Sequence, residues 1–153
     1  MCYFIIETKE NEICYSENNK KTIYFYDLNK RKIKSSLSNI NKIDDWMGLF
    51  IMISKDLLLI PGKDQISIID INKYKLIRII DIPNSNLNYG VCMLNKNILL
   101  TGGNSIRQWR IEGDNLILIS TKENAHDKNI YVLINIGNGN IASGSDDNKI
   151  KIW

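Results

Sequence analysis

Hydrophobic and polar residues follow one another in short runs along almost the whole chain of 153 residues. The apolar or alternating runs are about five to seven residues long. Polar clusters rich in Asn, Lys, Asp and Gly separate them. Short runs with such punctuation are typical of β-strands joined by tight turns. The sequence therefore predicts an all-β fold.

The predicted strands recur as a repeat. Four segments end alike on an aromatic or apolar residue: KTIYFYDL, DQISIIDI, NSIRQWRI and NKIKIW. Their alignment places Tyr26, Ile69, Trp109 and Trp153 in register, spaced 43, 40 and 44 residues apart. A run of similar sequence precedes each of these segments, and a more loosely similar run precedes that run. A further run follows the segment in three of the four units. Each unit thus contains up to four predicted strands.

A repeat of about 40–45 residues with four strands is typical of a β-propeller blade. A single four-stranded sheet cannot bury both of its faces, so successive sheets stack around an axis and cover one another. The units lie at approximately residues 1–38, 44–82, 87–122 and 125–153, and the last lacks its fourth strand. We therefore expect a partial ring of about three and a half to four blades.

The last unit, AHDKNIYVLINIGNGNIASGSDDNKIKIW, resembles a WD repeat of the WD40 family of β-propellers. The positions that match the pattern are His126, Ser143, Asp147 and Trp153, and Ala125 stands where the pattern begins with glycine. The resemblance implies a structural tetrad, with His126 between the Asp147 carboxylate and the Ser143 hydroxyl. In it, Ser143 accepts a hydrogen bond from the Trp153 indole. The three earlier units keep only parts of the pattern.

The chemistry of these groups fits such a chain of hydrogen bonds. An indole only donates, a hydroxyl donates and accepts, and a neutral imidazole does one of each. A buried network of this kind makes a blade rigid. The alternative is that His126 acts as a catalytic base, but the sequence has no G-x-S-x-G motif to supply a nucleophile. We therefore predict no catalytic residue.

Three further motifs are assigned to turns and solvated hairpins. The glycines at 102, 103, 137, 139 and 144 lack the spacing of phosphate-binding loops, and they suit hairpin turns. Residues 146–148 (Asp-Asp-Asn) lack the alternate spacing and the closing Glu of a calcium loop. The basic cluster at residues 30–34 falls where the unit repeat predicts a hairpin. We predict no cofactor and no metal site.

Composition and charge narrow the class of protein. The net charge of +3 is too small to indicate a nucleic-acid partner. The longest apolar run, residues 46–53, is far shorter than the ~20 residues of a membrane helix, so we expect no membrane partner. Cys2, Cys14 and Cys92 form no C-x-x-C pair and suggest free thiols of a reducing compartment. We expect a cytoplasmic protein, with the nucleus as the other intracellular location.

The resemblance implies a non-enzymatic scaffold or adaptor that binds other proteins or peptides on the propeller rims. Possible rim contacts are Trp46, Tyr89, Asn129 and Asp146. The alternative is the propeller part of a larger enzyme or of a ubiquitin-ligase substrate receptor. A partial ring exposes a sheet face at each end. We expect the remaining blades, in the same chain or in a second copy, to cover these faces.

Overall fold

The computed structural model describes the chain apart from a few short segments. The described residues are 2–17, 22–38, 40, 49–62, 64–82 and 90–153. For Cys2, Tyr3 and Glu17 only the backbone is described. Two of the predicted rim contacts, Trp46 and Tyr89, lie outside the described residues. Within these residues we find no helix long and apolar enough to cross a membrane.

The described residues form four antiparallel sheets in which each strand pairs with the next along the chain. The first sheet contains β1 (Cys2–Lys9), β2 (Glu12–Glu17), β3 (Thr22–Asp27) and β4 (Lys32–Ser38). The second contains β5 (Ile51–Met52), β6 (Leu57–Pro61), β7 (Gln65–Asp70) and β8 (Lys75–Asp81). The third contains β9 (Gly90–Asn95), β10 (Ile98–Gly102), β11 (Ile106–Glu112) and β12 (Asn115–Lys122). The fourth contains β13 (Ile130–Gly137), β14 (Asn140–Ser145) and β15 (Ile150–Ile152).

The repeat seen in the sequence is also a repeat of strand register. In every sheet the aligned residue at the end of the third strand lies opposite an apolar residue of the second strand. The pairs are Tyr26 with Ile13, Ile69 with Leu58, Trp109 with Leu99, and Trp153 with Ile141. The four aligned positions are therefore structurally equivalent.

Three apolar clusters hold the sheets together, one between each pair of neighbours. Successive side chains of a strand point to opposite faces, so one strand contributes to two clusters. In β6, Leu58 packs toward the first sheet, whereas Leu59 packs toward the third. In β10, Leu99 packs toward the second sheet and Leu100 toward the fourth. The two middle sheets are therefore covered on both faces.

No described residue covers the outer face of either end sheet, and the ring is not closed. On the first sheet, Ile5 and Ile33 are exposed. On the last sheet, the exposed apolar side chains are Val132, Ile134, Ile136, Ile150 and Ile152. An all-β partial propeller was predicted from the sequence, and the four sheets confirm it.

The assignment of all five glycines to turns is wrong for Gly102 and Gly144, which lie within β10 and β14. Gly139 lies in the β13–β14 turn and Gly137 is the last residue of β13 before it, and both have positive φ angles, of 79° and 90°. At Gly102 the requirement is space rather than backbone conformation. A Cβ atom there would lie 2.9 Å from Cγ2 of Ile130, because the third and fourth sheets approach each other closely.

We predict that Gly102→Ala destabilises the protein by about 1–3 kcal/mol, since the added methyl group overpacks this contact. Gly144→Ala is the matched control, because no atom lies within 4 Å of its Cβ position. The control should be neutral or stabilising by up to about 1 kcal/mol. Urea denaturation measures both variants. Equal stabilities would show that the sheets do not approach closely at Gly102.

Candidate functional site

The four residues of the predicted tetrad lie on four neighbouring segments of the last sheet. His126 lies in the loop between β12 and β13, and Ser143 lies on β14. Asp147 belongs to the β14–β15 turn, and Trp153 directly follows β15. The antiparallel pairing brings residues 27 positions apart in the sequence into one cluster. The structure thus brings all four side chains together.

Three hydrogen bonds join the four side chains in a chain. Trp153 Nε1 lies 2.8 Å from Ser143 Oγ, and Ser143 Oγ lies 2.7 Å from His126 Nε2. His126 Nδ1 lies 2.8 Å from Asp147 Oδ2. A carboxylate only accepts, so we assign the donor proton to Nδ1; Nε2 then accepts from the Ser143 hydroxyl. In this arrangement, each polar side-chain group of the tetrad has a hydrogen-bond partner.

Three of the four tetrad side chains are closed to solvent, and Trp153 is half-buried. The side chain of His126 is 0% exposed and that of Asp147 is 4% exposed, and Ser143 is buried. Within the chain of hydrogen bonds, the Ser143 hydroxyl already accepts from an indole and donates to an imidazole. A substrate would have to displace these partners to reach it. The arrangement suits a structural network, since buried, fully satisfied polar groups make a region rigid.

The Asp147 carboxylate also organises the turn around it. Oδ2 accepts from the backbone N–H of Asp127 at 3.2 Å, and Oδ1 accepts from that of Lys149 at 3.0 Å. Burial by itself raises the pKa of Asp147. The hydrogen bonds from His126 and from the two backbone groups outweigh burial and lower this pKa to about 2. The ionised carboxylate is therefore the form that the folded loop stabilises.

The third sheet contains a reduced version of the same network. Trp109 Nε1 donates to Thr101 Oγ1 at 3.0 Å, and both residues are buried. The positions are equivalent to Trp153 and Ser143 of the last sheet. Pairing of an indole with a hydroxyl is thus repeated in two sheets.

The tetrad lies beneath an exposed surface that we call the last-sheet rim. Its residues are Asp127, Asn129, Tyr131, Asp146 and Lys149. The backbone N–H of Asp146 donates to the carbonyl of Asn129 at 3.1 Å, and Lys149 Nζ lies 2.8 Å from Asp127 Oδ2. Asp146 is exposed and Asn129 is half-buried, so the structure places both of these predicted contacts at the rim. Burial and a hydrogen bond to Asp146 raise the pKa of Tyr131.

A second polar network, around Glu12, does not follow from the sequence pattern. Glu12 is 3% exposed, and its carboxylate accepts from Thr8 Oγ1 at 2.9 Å and from the Tyr74 hydroxyl. Lys34 Nζ forms an ion pair with it at 3.0 Å. Lys9 Nζ lies 5.1 Å from the centre of the Tyr74 ring. The network joins the first sheet to the second.

Two features of this network differ from expectation. Lys34 belongs to the basic cluster that the sequence assigned to a solvated hairpin, yet its ammonium group contacts a buried carboxylate. Burial raises the pKa of Glu12, and the hydrogen bonds from Tyr74, Lys34 and Thr8 outweigh it and lower the pKa. Tyr74 has a positive φ of 49°, which is uncommon for a bulky residue. In the sequence, the feature that could have indicated this network is the bulky residue Tyr74 in a hairpin turn.

The described cysteine side chains are free thiols. Cys14 and Cys92 are both buried. Burial raises the pKa of Cys92 to about 11 and that of Cys14 further above its usual range. The side chain of Cys2 lies outside the described residues. Among the described residues, no three His, Cys, Asp or Glu side chains form a group that could hold a metal ion.

No protein-family model matches the chain, and no curated protein matches it in sequence. Its structure is similar to the crystal structure of the WD40 β-propeller domain of Doa1, with a TM-score of 0.80 and 18% sequence identity. The match covers 99% of this chain and 50% of the other, so this chain spans about half of that structure. The fold is that of a WD40 β-propeller. The family resemblance seen in the sequence is confirmed at the level of the fold.

We predict that Ser143→Ala destabilises the protein by about 1–3 kcal/mol, because the buried His126 Nε2 and the half-buried Trp153 indole both lose their hydrogen-bond partner. Ser120→Ala is the control, since Ser120 is exposed and, among the described residues, its hydroxyl hydrogen-bonds to Gln108 at 3.2 Å. The control should stay within about 0.5 kcal/mol. Chemical denaturation followed by tryptophan fluorescence measures both. Unchanged stability of Ser143→Ala would contradict a structural role for the tetrad.

We also predict a specific loss of stability in acid. The folded pKa of Asp147 is about 2 and its ordinary value is 3.8. A depressed folded pKa contributes stability above the unfolded pKa and loses it as pH falls, here between about pH 4 and pH 2. Asp147→Asn has no carboxylate at this position and should lack this contribution to stability. The free energies of unfolding of wild type and variant should therefore converge as the pH falls from about 4 to about 2. Parallel urea-denaturation profiles would contradict the prediction.

Proposed function

We propose that this protein is a non-enzymatic, intracellular interaction scaffold that binds other proteins through the last-sheet rim. The observation that carries the proposal is the hydrogen-bonded tetrad directly beneath that rim. It ties the loop before β13 to the β14–β15 turn through the His126–Asp147 hydrogen bond at 2.8 Å. Loops that are fixed before binding lose less conformational entropy on association.

The chemistry of the rim supports a protein partner. It presents a tyrosine, two aspartates and a lysine, together with half-buried Asn129. Tyr131 is 40% exposed, and Asp146 and Lys149 are exposed. Tyrosine is enriched in protein interfaces, and charged groups of both signs at a rim give specificity. The surface is polar, and among the described residues no three His, Cys, Asp or Glu side chains form a group that could hold a metal ion.

The non-enzymatic part of the proposal is supported by the state of the Ser-His-Asp residues. Each of the three is buried and engaged in the tetrad, with the Ser143 hydroxyl hydrogen-bonded to both Trp153 and His126. A nucleophile needs an accessible oxygen and a base that is free to take its proton. The proposal concerns this chain, which spans about half of the similar propeller structure.

We predict that Asp146→Arg removes partners from the rim without unfolding the protein. Tagged wild-type and variant chains are compared by quantitative affinity capture, and the proteins that differ are then tested as purified binary pairs. Glu10→Arg is the matched control: it makes the same charge change at an exposed position in the β1–β2 turn, at the other end of the strands. We expect binding to fall about tenfold or more for Asp146→Arg only.

Two results would contradict this proposal. One is equal binding of every purified partner by wild type and Asp146→Arg. The other is turnover of a generic esterase, phosphatase or nucleotidase substrate that His126→Ala abolishes while its melting transition shows that the fold is retained.

A further inference from the structure

Two neighbouring turns of the structure have almost the same sequence. The β3–β4 turn belongs to DLNKRKI at residues 27–33, and the β7–β8 turn belongs to DINKYKL at residues 70–76. Both patterns have an aspartate first and lysines at the fourth and sixth positions. The fifth residues, Arg31 and Tyr74, both have a positive φ of 49°. The two turns therefore share a backbone conformation as well as a sequence.

The aspartate that begins each pattern stabilises its own turn. Asp27 Oδ1 accepts from the backbone N–H of Lys30 at 2.8 Å, and Asp70 Oδ1 accepts from that of Lys73 at 3.0 Å. Side chains that bond to the backbone a few residues further on favour a turn. These backbone hydrogen bonds are the main cause that lowers the pKa of each aspartate. Each carboxylate is thus used within its turn.

Four lysines project from the two turns, and we call them the lysine surface: Lys30, Lys32, Lys73 and Lys75. All four are exposed. The second sheet is covered on both faces by its neighbours, and its two lysines are exposed nonetheless. The lysines of the first sheet hold the equivalent positions. Exposure is therefore a property of the turns and does not depend on which sheets flank them.

Side chains between the first and second sheets hold the two turns next to each other. Lys34, which follows the first turn, forms an ion pair with Glu12 at 3.0 Å, and the Tyr74 hydroxyl of the second turn donates to the same carboxylate. Lys34 Nζ also lies 5.2 Å from the centre of the Tyr74 ring. Lys9 Nζ donates to the carbonyl of Ile71 at 2.8 Å. The four lysines are thus parts of one continuous surface.

The charge of the lysine surface is largely uncompensated within the described part of the chain. Lys30, Lys32 and Lys75 form no ion pair with any described residue. Lys73 Nζ lies 3.4 Å from Asp70 Oδ2, but its side chain is 76% exposed, and an ion pair so open to solvent contributes little. The surface therefore has positive charge that a partner can neutralise.

The equivalent turn of the third sheet has the opposite charge. It contains Gly113 and Asp114 after Glu112, the last residue of β11, and it has no lysine. Asp114 forms an ion pair with Arg78 of the second sheet at 3.2 Å. Toward the third sheet, the positive surface therefore ends at an acidic turn.

We propose that the lysine surface binds a segment of a partner protein that is rich in Asp and Glu, with its carboxylates in contact with both turns. Groups of opposite sign attract one another at long range and give an interface specificity. Two turns with fixed backbones lose little conformational entropy on binding. The surface lies at the opposite end of the strands from the last-sheet rim. The inference therefore goes beyond the proposed function and does not depend on it.

The limited extent of the surface favours a protein segment over a nucleic acid or a membrane. Nucleic acids carry a charge at every nucleotide and bind along longer cationic tracks, whereas this surface ends at Asp114. Stable membrane binding takes an apolar anchor in addition to basic residues. The aromatic residue of this surface, Tyr74, is half-buried and packs against Phe25, with 4.9 Å between the ring centres.

The first experiment measures fluorescence anisotropy of a fluorescein-labelled peptide in which Asp and Glu alternate with Ser. The control peptide has Asn and Gln in place of Asp and Glu. With the full chain, we expect saturable binding of the acidic peptide that weakens as salt is added, because salt screens exposed charges. Equal binding of the two peptides would overturn the proposal.

The second experiment locates the binding with matched variants. Lys32→Glu and Lys75→Glu reverse one charge on each turn at equivalent positions. Lys96→Glu is the control, because Lys96 is exposed in the β9–β10 turn, at the same end of the third sheet. We expect at least about fivefold weaker binding for each of the first two variants and less than about twofold for the control.

A similar loss in all three variants would show a response to net charge alone and would overturn the proposal. A loss in only one of Lys32→Glu and Lys75→Glu would overturn it as well, since both turns have to contribute. Melting transitions check that each variant is folded. For any reversal that lowers the melting temperature, Lys32→Gln or Lys75→Gln takes its place, and the same order of affinities is expected.

The other two kinds of partner are tested with the same variants. The probes are vesicles of phosphatidylcholine and phosphatidylserine, and a single-stranded oligouridylate. Binding of either probe that Lys32→Glu and Lys75→Glu both weaken, with the acidic peptide unbound, would overturn the proposal in favour of a membrane or an RNA. We expect the acidic peptide alone to bind in a manner that depends on both turns.

Discussion

The need to cover both faces of every sheet determines most of this structure. Each strand sends alternate side chains to opposite faces, so Leu58 and Leu59, adjacent in the sequence, are both 0% exposed in two different clusters. Burying an apolar side chain of this size contributes about 1.5–3 kcal/mol relative to leaving it exposed. A sheet that is apolar on both faces gains this only between two neighbours, which is why the sheets stack in an arc. The close approach at Gly102 follows from the same requirement.

Two polar networks with buried carboxylates connect separate segments of this fold. The tetrad joins a loop, a strand and a turn within the last sheet. The Glu12 network joins two sheets, since Tyr74 of the second sheet donates to a carboxylate of the first. In both cases a carboxylate with a lowered pKa is held by several donors. Fully satisfied networks of this kind specify one arrangement of loops.

Two exposed surfaces of the described residues differ in chemistry. The last-sheet rim presents charged side chains and one tyrosine, and backbone N–H groups of its loops donate to the Asp147 carboxylate. The outer faces of the end sheets are apolar, with Ile150 at 80% exposed.

The sequence by itself indicated the strands and the alignment of the four units, because both depend on patterns that repeat along the chain, and the resemblance of the last unit to a WD repeat indicated the tetrad. Alternation predicts strands, and the spacing from Tyr26 to Trp153 predicts the equivalent positions. The partial ring and its fold are confirmed. Trp46 and Tyr89 remain predictions, since they lie outside the described residues.

Only the tertiary structure decided which sheets touch and through which side chains. Glu12 and Tyr74 are 62 positions apart, and neither belongs to the repeated pattern. Gly102 is required by Ile130 of the next sheet rather than by its own backbone. Lys34 appears in the sequence as one of several solvated lysines, whereas the structure pairs it with the buried carboxylate of Glu12 on the same sheet. Periodicity fixes each sheet locally, whereas contacts between sheets depend on distant segments that no local pattern relates.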